Sequence, residues 1–308
     1  MKHFYTFLAA VLFTATTLAQ GNLSVTSGAS LTVSETGYLT ASGTFNNTGS
    51  VTLNSTADNF SSLIVQGTAT GDITYNRYVN VYDDGLGGGW DLVGSPTDMT
   101  IEDFITANGA NIQVLGDDYA FSQYNNVLDQ WERYATASQQ GSFTAGQGYS
   151  MATASNGPPP PGGAIGTSVA FTGDMQTTNQ SIDVINNNAA NGGVGRRWNL
   201  VSNPYPSYIH GNAAAQTTNN FMDVNSGVID ESFLGVYGWN GSSYTTYNFT
   251  SDAFSIAPGQ GFWIAALNTA DTALNFTTAM RTTTGTGDFV AGPQALVYRL
   301  ALKLYNAD

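Results

Sequence analysis

Cysteine is absent from this sequence, and histidine nearly so, with two in the whole chain. The first absence excludes a disulfide framework, thiolate metal sites and a cysteine nucleophile. The second removes most routes to a histidine-assisted nucleophile or a zinc site, because both need imidazoles at set spacings. Positive charge is scarce as well: 8 Lys and Arg stand against 22 Asp and Glu, a net charge of −14. Nucleic acid and anionic membrane surfaces repel such a chain, and its charge serves solubility. Charged residues of either sign make up only 10% of the sequence, so the Ala, Leu, Glu and Lys surfaces that helices need are missing. Short runs of Val, Ile, Thr, Tyr, Phe and Trp between Gly, Asn and Pro clusters take their place. The expected class is all-β.

Long apolar runs are also missing. Phe4–Phe13 is about ten residues, well short of the roughly 20 that span a bilayer. Preceded by Lys2 and His3 and followed by Thr17-Leu18-Ala19, it reads as an export signal peptide over residues 1–19. The mature chain is expected outside the cell or at an outer-membrane surface, with no transmembrane segment after cleavage.

Within residues 20–74, apolar residues alternate with Ser or Thr at Leu23/Val25, Leu31/Val33, Leu39/Ala41 and Val51/Leu53. Glycines 28, 37, 43 and 49 punctuate the pairs. This beat suits short strands stacked as coils of a β-solenoid, with a plain meander as the alternative. So short a stack should lean on the next domain. Thr70–Tyr78 then reads as the strand leading out.

Two phrases recur. GGWDLVGSP at 88–96 returns as GRRWNLVSNP at 195–204. Each is followed by a tyrosine-rich hairpin (Tyr119–Tyr134, then Val236–Tyr247), by a Gly-Gln-Gly strand (146–151, then 259–264), and by a Phe…Met closing stretch (Phe171/Met175, then Phe276/Met280). Residues 75–178 and 179–285 are therefore expected to be tandem copies of one β-sandwich-like module. Trp90 and Trp198 should be mostly buried, each beneath its own Gly-Gln-Gly strand. Met99–Ile105 and His210–Met222 are expected to hold short helices that carry Ile101/Phe104 and Phe221/Met222 inward. The proline run in Asn156–Gly163 reads as an insert, and Asn186–Gly193 as a linker. Residues 286–308 read as a linker and the first strand of a truncated further domain.

The phrases GWDLVGSP, AGQGYSMA, RWNLVSNPYPS, YGWNGSSYTTYN, IAPGQGFWIAA and FTTAMR together resemble large secreted proteins of Bacteroidota, especially flavobacteria, exported by the type IX system. That resemblance implies a further β-sandwich and a C-terminal sorting domain. The chain departs from the pattern by stopping at Tyr298-Arg-Leu-Ala-Leu-Lys-Leu-Tyr-Asn-Ala-Asp308.

Chemistry is hard to find. His210 lies outside any nucleophile-elbow pattern and reads as a loop residue. Glycoside hydrolysis needs two carboxylates facing each other across a cleft; the four glutamates, 35, 102, 132 and 231, sit in no recognisable catalytic phrase. Asp83, Asp84, Asp117 and Asp118 offer hard oxygen ligands that would suit calcium, although solvated acidic turns account for them as well. Trp131, Trp239, Trp263 and the surrounding tyrosines could form a platform for sugar rings, with Trp131, Trp239 and Tyr124 the candidate ligand-binding residues. Recurrence of the same residue types in both copies favours packing for them. The expected function is a non-catalytic, secreted or cell-surface structural or adhesion protein. A carbohydrate-binding accessory module is the alternative, its partner an extracellular polysaccharide or surface component, and a surface hydrolase comes third.

Overall fold

A computed structural model describes residues 21–82, 89–154, 166–188, 196–239, 243–267 and 272–285, with the backbone of 10–13 and 17–19. The chain is all-β, its strands arranged in several open sheets. Asn156–Gly163, Asp83, Asp84 and residues 286–308 lie outside the described residues.

Short strands come first: β1 (Ala10–Phe13), β2 (Thr17–Ala19), β3 (Leu23–Val25), β4 (Ser30–Val33), β5 (Tyr38–Ala41), β6 (Phe45–Asn47), β7 (Ser50–Asn54), β8 (Ser62–Val65) and β9 (Ala69–Thr70). They pair in parallel in the orders β1-β4-β7, β2-β5-β8 and β3-β6-β9, and not antiparallel as a meander would. Leu31 lies beside Val51 and Leu39 beside Leu63, all buried. Thr32 and Thr52 alternate with them and stay half-exposed. Each such buried Leu or Val contributes about 1.5–3 kcal/mol. Gly71 turns the chain with φ +85°, and a Cβ there would collide with the Asn47 carbonyl.

β10 (Ile73–Val79) pairs in parallel with β7, and its amide-bearing Asn76 donates to Asn54 at 2.9 Å. The expected boundary at 74/75 falls inside this strand, so the parallel stacks and the next segment share a sheet and one core. There follow β11 (Asp91–Val93), α1 (Ile101–Asn108), β12 (Val114–Leu115), β13 (Asp118–Asn125), β14 (Gln130–Ala135), β15 (Tyr149–Met151) and β16 (Thr167–Gly173), which runs antiparallel to β10. Thr100 caps α1 by accepting from the Asp103 N–H, and Ile101 and Phe104 are buried as expected. Phe104 stacks on Phe171 of β16 at 4.9 Å. Asn108 closes the helix: its Nδ2 donates to the Phe104 and Ala170 carbonyls, and its Oδ1 accepts from the Ala170 N–H.

Segment 179–285 contains β17 (Gln180–Asp183), β18 (Trp198–Ser202), β19 (Tyr208–His210), α2 (Phe221–Val224), β20 (Val236–Trp239), β21 (Tyr244–Tyr247), β22 (Ser255–Ile256), β23 (Gly261–Ala265), β24 (Ala273–Phe276) and β25 (Arg281–Thr282). Within His210–Met222 the expected short helix begins only at Phe221, after β19 and turns, and it carries Phe221 and Met222 inward as expected. Strand order matches the first segment: β18-β23-β20-β21 repeats β11-β15-β13-β14, and β17 pairs β24 as β10 pairs β16. Small devices match too. Asn225 donates to Phe221 and Asn275 carbonyls and accepts from the Asn275 N–H, the Asn108 pattern over again. The Thr97 N–H bonds Ser95 Oγ, and the Tyr205 N–H bonds Asn203 Oδ1.

The two segments dock reciprocally. Gly94 N–H donates to the Gly259 carbonyl at 2.9 Å, and Ser202 N–H donates to the Gly146 carbonyl at 2.8 Å. Val93 bridges Gln260 while Gln147 bridges Val201. A Cβ at Gly148 would meet Leu200 at 2.7 Å, and one at Gly261 would meet the Leu92 backbone at 2.6 Å. Each Gly-Gln-Gly therefore admits the other segment's Trp-x-Leu-Val strand. Trp90 and Trp198 are mostly buried, as expected, but not fully: each keeps part of its surface open at the margin of this junction.

Candidate functional site

The junction leaves two clefts, each floored by a row of cross-strand neighbours. In the second segment the row runs Leu200, Trp263, Tyr237, Thr246; in the first it runs Leu92, Ser150, Ser122, Arg133. Side chains opposite one another on one sheet face are in contact range, so each row forms a continuous surface.

The first cleft holds about 510 Å³ and is lined by Trp198, Tyr237, Trp263, Tyr244 and Thr246 of the second segment, with Tyr124, Asp129 and Trp131 from the first segment's hairpin. The rings brace one another edge to face: Tyr124 on Trp263 at 4.8 Å, Trp131 on Trp263 at 5.7 Å, Trp198 on Tyr237 at 4.9 Å. Trp198 is held from behind by Phe233, whose face carries Arg197, itself paired with Asp230 at 2.6 Å. The hairpin tip is pinned over the cleft by Asn126. Its Nδ2 donates to the Ile185, Arg196 and Trp198 carbonyls, and its Oδ1 accepts from Asn187. Asn187, expected in a linker, is thus fastened in place.

Polar groups are few. Asp129 occupies the left-handed region at φ 55°, where the tip reverses, and accepts from the Tyr124 hydroxyl at 2.6 Å. Burial raises Tyr124 above the usual phenol range, the bond to Asp129 adds to it, and Arg196 opposes it. Trp263 is buried and its Nε1–H lacks an acceptor. The Tyr244 hydroxyl approaches that N–H without hydrogen-bond geometry; burial raises Tyr244, and this approach partly offsets it.

The second cleft, about 230 Å³, is lined by Trp90, Leu92, Ser122, Arg133 and Ser150 of the first segment and by Trp239 of the second, with Trp131 and Tyr244 shared with the first cleft.

Of the sequence candidates, Tyr124, Trp131 and Trp263 come together in the first cleft with Tyr237 and Tyr244, and Trp239 falls in the second. Asp117 and Asp118 gain no further acidic or histidine partner: among the described residues no group of three or more potential metal ligands forms. His210 lies in β19, outside the lining of both clefts, its imidazole pushed down by burial. Trp90, Trp198, Asp129, Arg133 and Asn126 were not singled out as site residues from sequence. One signal of the clefts was present. Within otherwise matched hairpins and strands, Ser122 stands opposite Tyr237 and Ser150 opposite Trp263 when the two phrases are aligned.

No helix among the described residues is long and apolar enough to cross a membrane. A family model described as a domain of unknown function (DUF8693) matches residues 7–294. No curated protein and no solved structure matches the chain.

Proposed function

The chain belongs to that family, whose description carries no activity, and from the clefts we propose that it is a non-catalytic protein that works outside the cell and binds glycans. The carrying observation is the contrast between core and cleft. Phe104 and Phe171 in one segment answer to Phe221 and Phe276 in the other, as a shared packing role requires. At the cleft rows that likeness fails: Trp263, Tyr237 and Thr246 answer to Ser150, Ser122 and Arg133. A binding face differs between copies where packing has no reason to.

Aromatic walls and one carboxylate suit a sugar ring, which offers apolar faces and a rim of hydroxyls. Glycoside hydrolysis needs a carboxylate pair about 5–10 Å apart; Asp129 is the sole carboxylate among the described residues lining the first cleft, which supports binding without turnover. The structural or adhesive role fits the same body. We read the parallel stacks as a short solenoid and the two segments as copies of one module. The stacks lean on the second copy through Leu63 N–H to the Pro206 carbonyl and Arg281 to the Val65 carbonyl. Export rests on the leader pattern, and membership of a type IX cargo group on the family-like phrases from GWDLVGSP to FTTAMR.

The test is affinity electrophoresis of the full chain through gels containing soluble polysaccharides, with Trp198→Ala and Tyr237→Ala beside it. Retardation by at least one neutral glycan, weakened tenfold or more in both variants with unchanged circular dichroism, is the expected result. Free migration through every gel would leave adhesion without glycan recognition as the better reading.

A further inference from the structure

The second cleft lies across a ridge from the first, since Trp131 and Tyr244 line both. Self-sufficient ligand sites run from about 300 to 1,000 Å³. The first cleft, about 510 Å³, falls inside that range, and the second, about 230 Å³, falls below it. Size makes the second an extension of the first.

Its chemistry differs in one direction. Thr246 at the end of the first floor is answered by Arg133 at the end of the second. Arg133 is exposed, and no ion pair or hydrogen bond joins its side chain to another described residue. Among the described residues, no carboxylate lines this cleft, whereas Asp129 lines the other. The aromatics that fill the first floor are replaced by Ser122 and Ser150, and Trp90 and Trp239 remain at the sides.

We infer that the second cleft is an anion subsite that reads the carboxylate of an acidic sugar residue. A chain laid over the Trp131–Tyr244 ridge sets one ring among the tryptophans of the first cleft and a uronate against Arg133. The inference rests on the glycan-binding reading of the first cleft. A guanidinium is the fitting group, because its planar fork meets a carboxylate with two parallel bonds and its charge survives at any physiological pH. The serines supply small hydroxyl partners, and the indoles cover the apolar face of the ring. The overall charge of −14 does not defeat this, since at physiological ionic strength charges beyond about 8 Å are largely screened.

Titration calorimetry of the full chain tests it, using galacturonate, glucuronate and mannuronate hexasaccharides, their methyl esters, and neutral hexasaccharides. Wild type, Arg133→Gln, Arg133→Lys and Trp198→Ala are compared. One free acid should bind about tenfold tighter than its ester, the scale of a charge-assisted bond pair. That gap should close in Arg133→Gln, survive in part in Arg133→Lys, and narrow with added salt. Trp198→Ala should weaken acid and ester alike. Equal affinity of acid and ester, or a gap untouched by Arg133→Gln, overturns the anion subsite and leaves the first cleft standing. Failure of every oligosaccharide, neutral ones included, overturns the glycan reading and the subsite with it.

Discussion

Replacing Asn126 with alanine probes how the first cleft is kept in shape. Asn126 is 8% exposed, and its Nδ2 spans the Ile185, Arg196 and Trp198 carbonyls at 3.2, 3.1 and 2.8 Å. Its Oδ1 accepts from Asn187 at 2.7 Å. Two N–H groups cannot fully serve three carbonyls, so the set counts as about three neutral bonds, each worth roughly 1 kcal/mol net. The tip borders solvent, and water can reach part of what alanine leaves bare. The expected loss is about 2–3 kcal/mol, a Tm fall on the order of 5 °C in a two-state unfolding. Asn126→Asp keeps the size but loses the donors, and should fall at least as far. The damage should also be local. Amide exchange should quicken across Tyr124–Trp131, and ligand binding should weaken because Tyr124, Asp129 and Trp131 ride on that tip. Calorimetry and hydrogen exchange on the same variants decide it. A Tm within about 1 °C of wild type, with unchanged exchange in the hairpin, would show that the tip is held by something else.

Four further outcomes are expected from the same geometry. Gly261→Val drives a side chain into the Leu92 backbone and should cost about 1–3 kcal/mol or more in chemical denaturation; Gly148→Val, against Leu200, should match it. If either is neutral, the reciprocal docking is wrong. Asn108→Ala and Asn225→Ala remove equivalent ties between helix and closing strand, so their losses should agree within about 1 kcal/mol, near 2–3 kcal/mol each; a loss confined to one would break the equivalence. Trp131→Ala should weaken binding at both clefts, since its ring lines both, and a loss confined to acidic or to neutral ligands would contradict the shared ridge. Burial is the main cause raising Tyr75, Tyr149 and Tyr205, the last to about 12. The folded state therefore holds these protons after unfolded tyrosines, near pH 10, release theirs. Stability should be intact below about pH 10 and fall as pH rises through the folded values, followed by tyrosinate absorbance together with unfolding. Wild type ionising as many tyrosines below the unfolding transition as it does after unfolding would refute the burial.

Class and landmarks were legible because they are local. Alternation at Leu31/Val33 and Val51/Leu53 announces strands, since side-chain direction repeats every second residue. The inward turn of Ile101, Phe104, Phe221 and Met222 was expected from their stretches, and the structure caps the two helices with Thr100 and Asn220. The strand order common to the two segments agrees with the repeated phrases. The length of the second helix was not legible, because its register is set by Asn225 reaching Asn275, a partner 50 residues away.

The clefts belong to tertiary structure alone. A glycine reads the same whether the backbone it admits is its own neighbour or a distant segment. Nothing in Gly-Gln-Gly says that Gly148 meets Leu200 and Gly261 meets Leu92. Once they do, Trp239 and Tyr244 line a cleft over the first segment's sheet, and Tyr124 and Trp131 meet Trp263 instead of packing at home. The same crossing places Trp90 and Trp198 at the cleft margins. Composition and period decided that these residues would be β-strands with aromatic faces; the close approach of two glycine-bearing backbones decided which faces would meet and what space would remain between them.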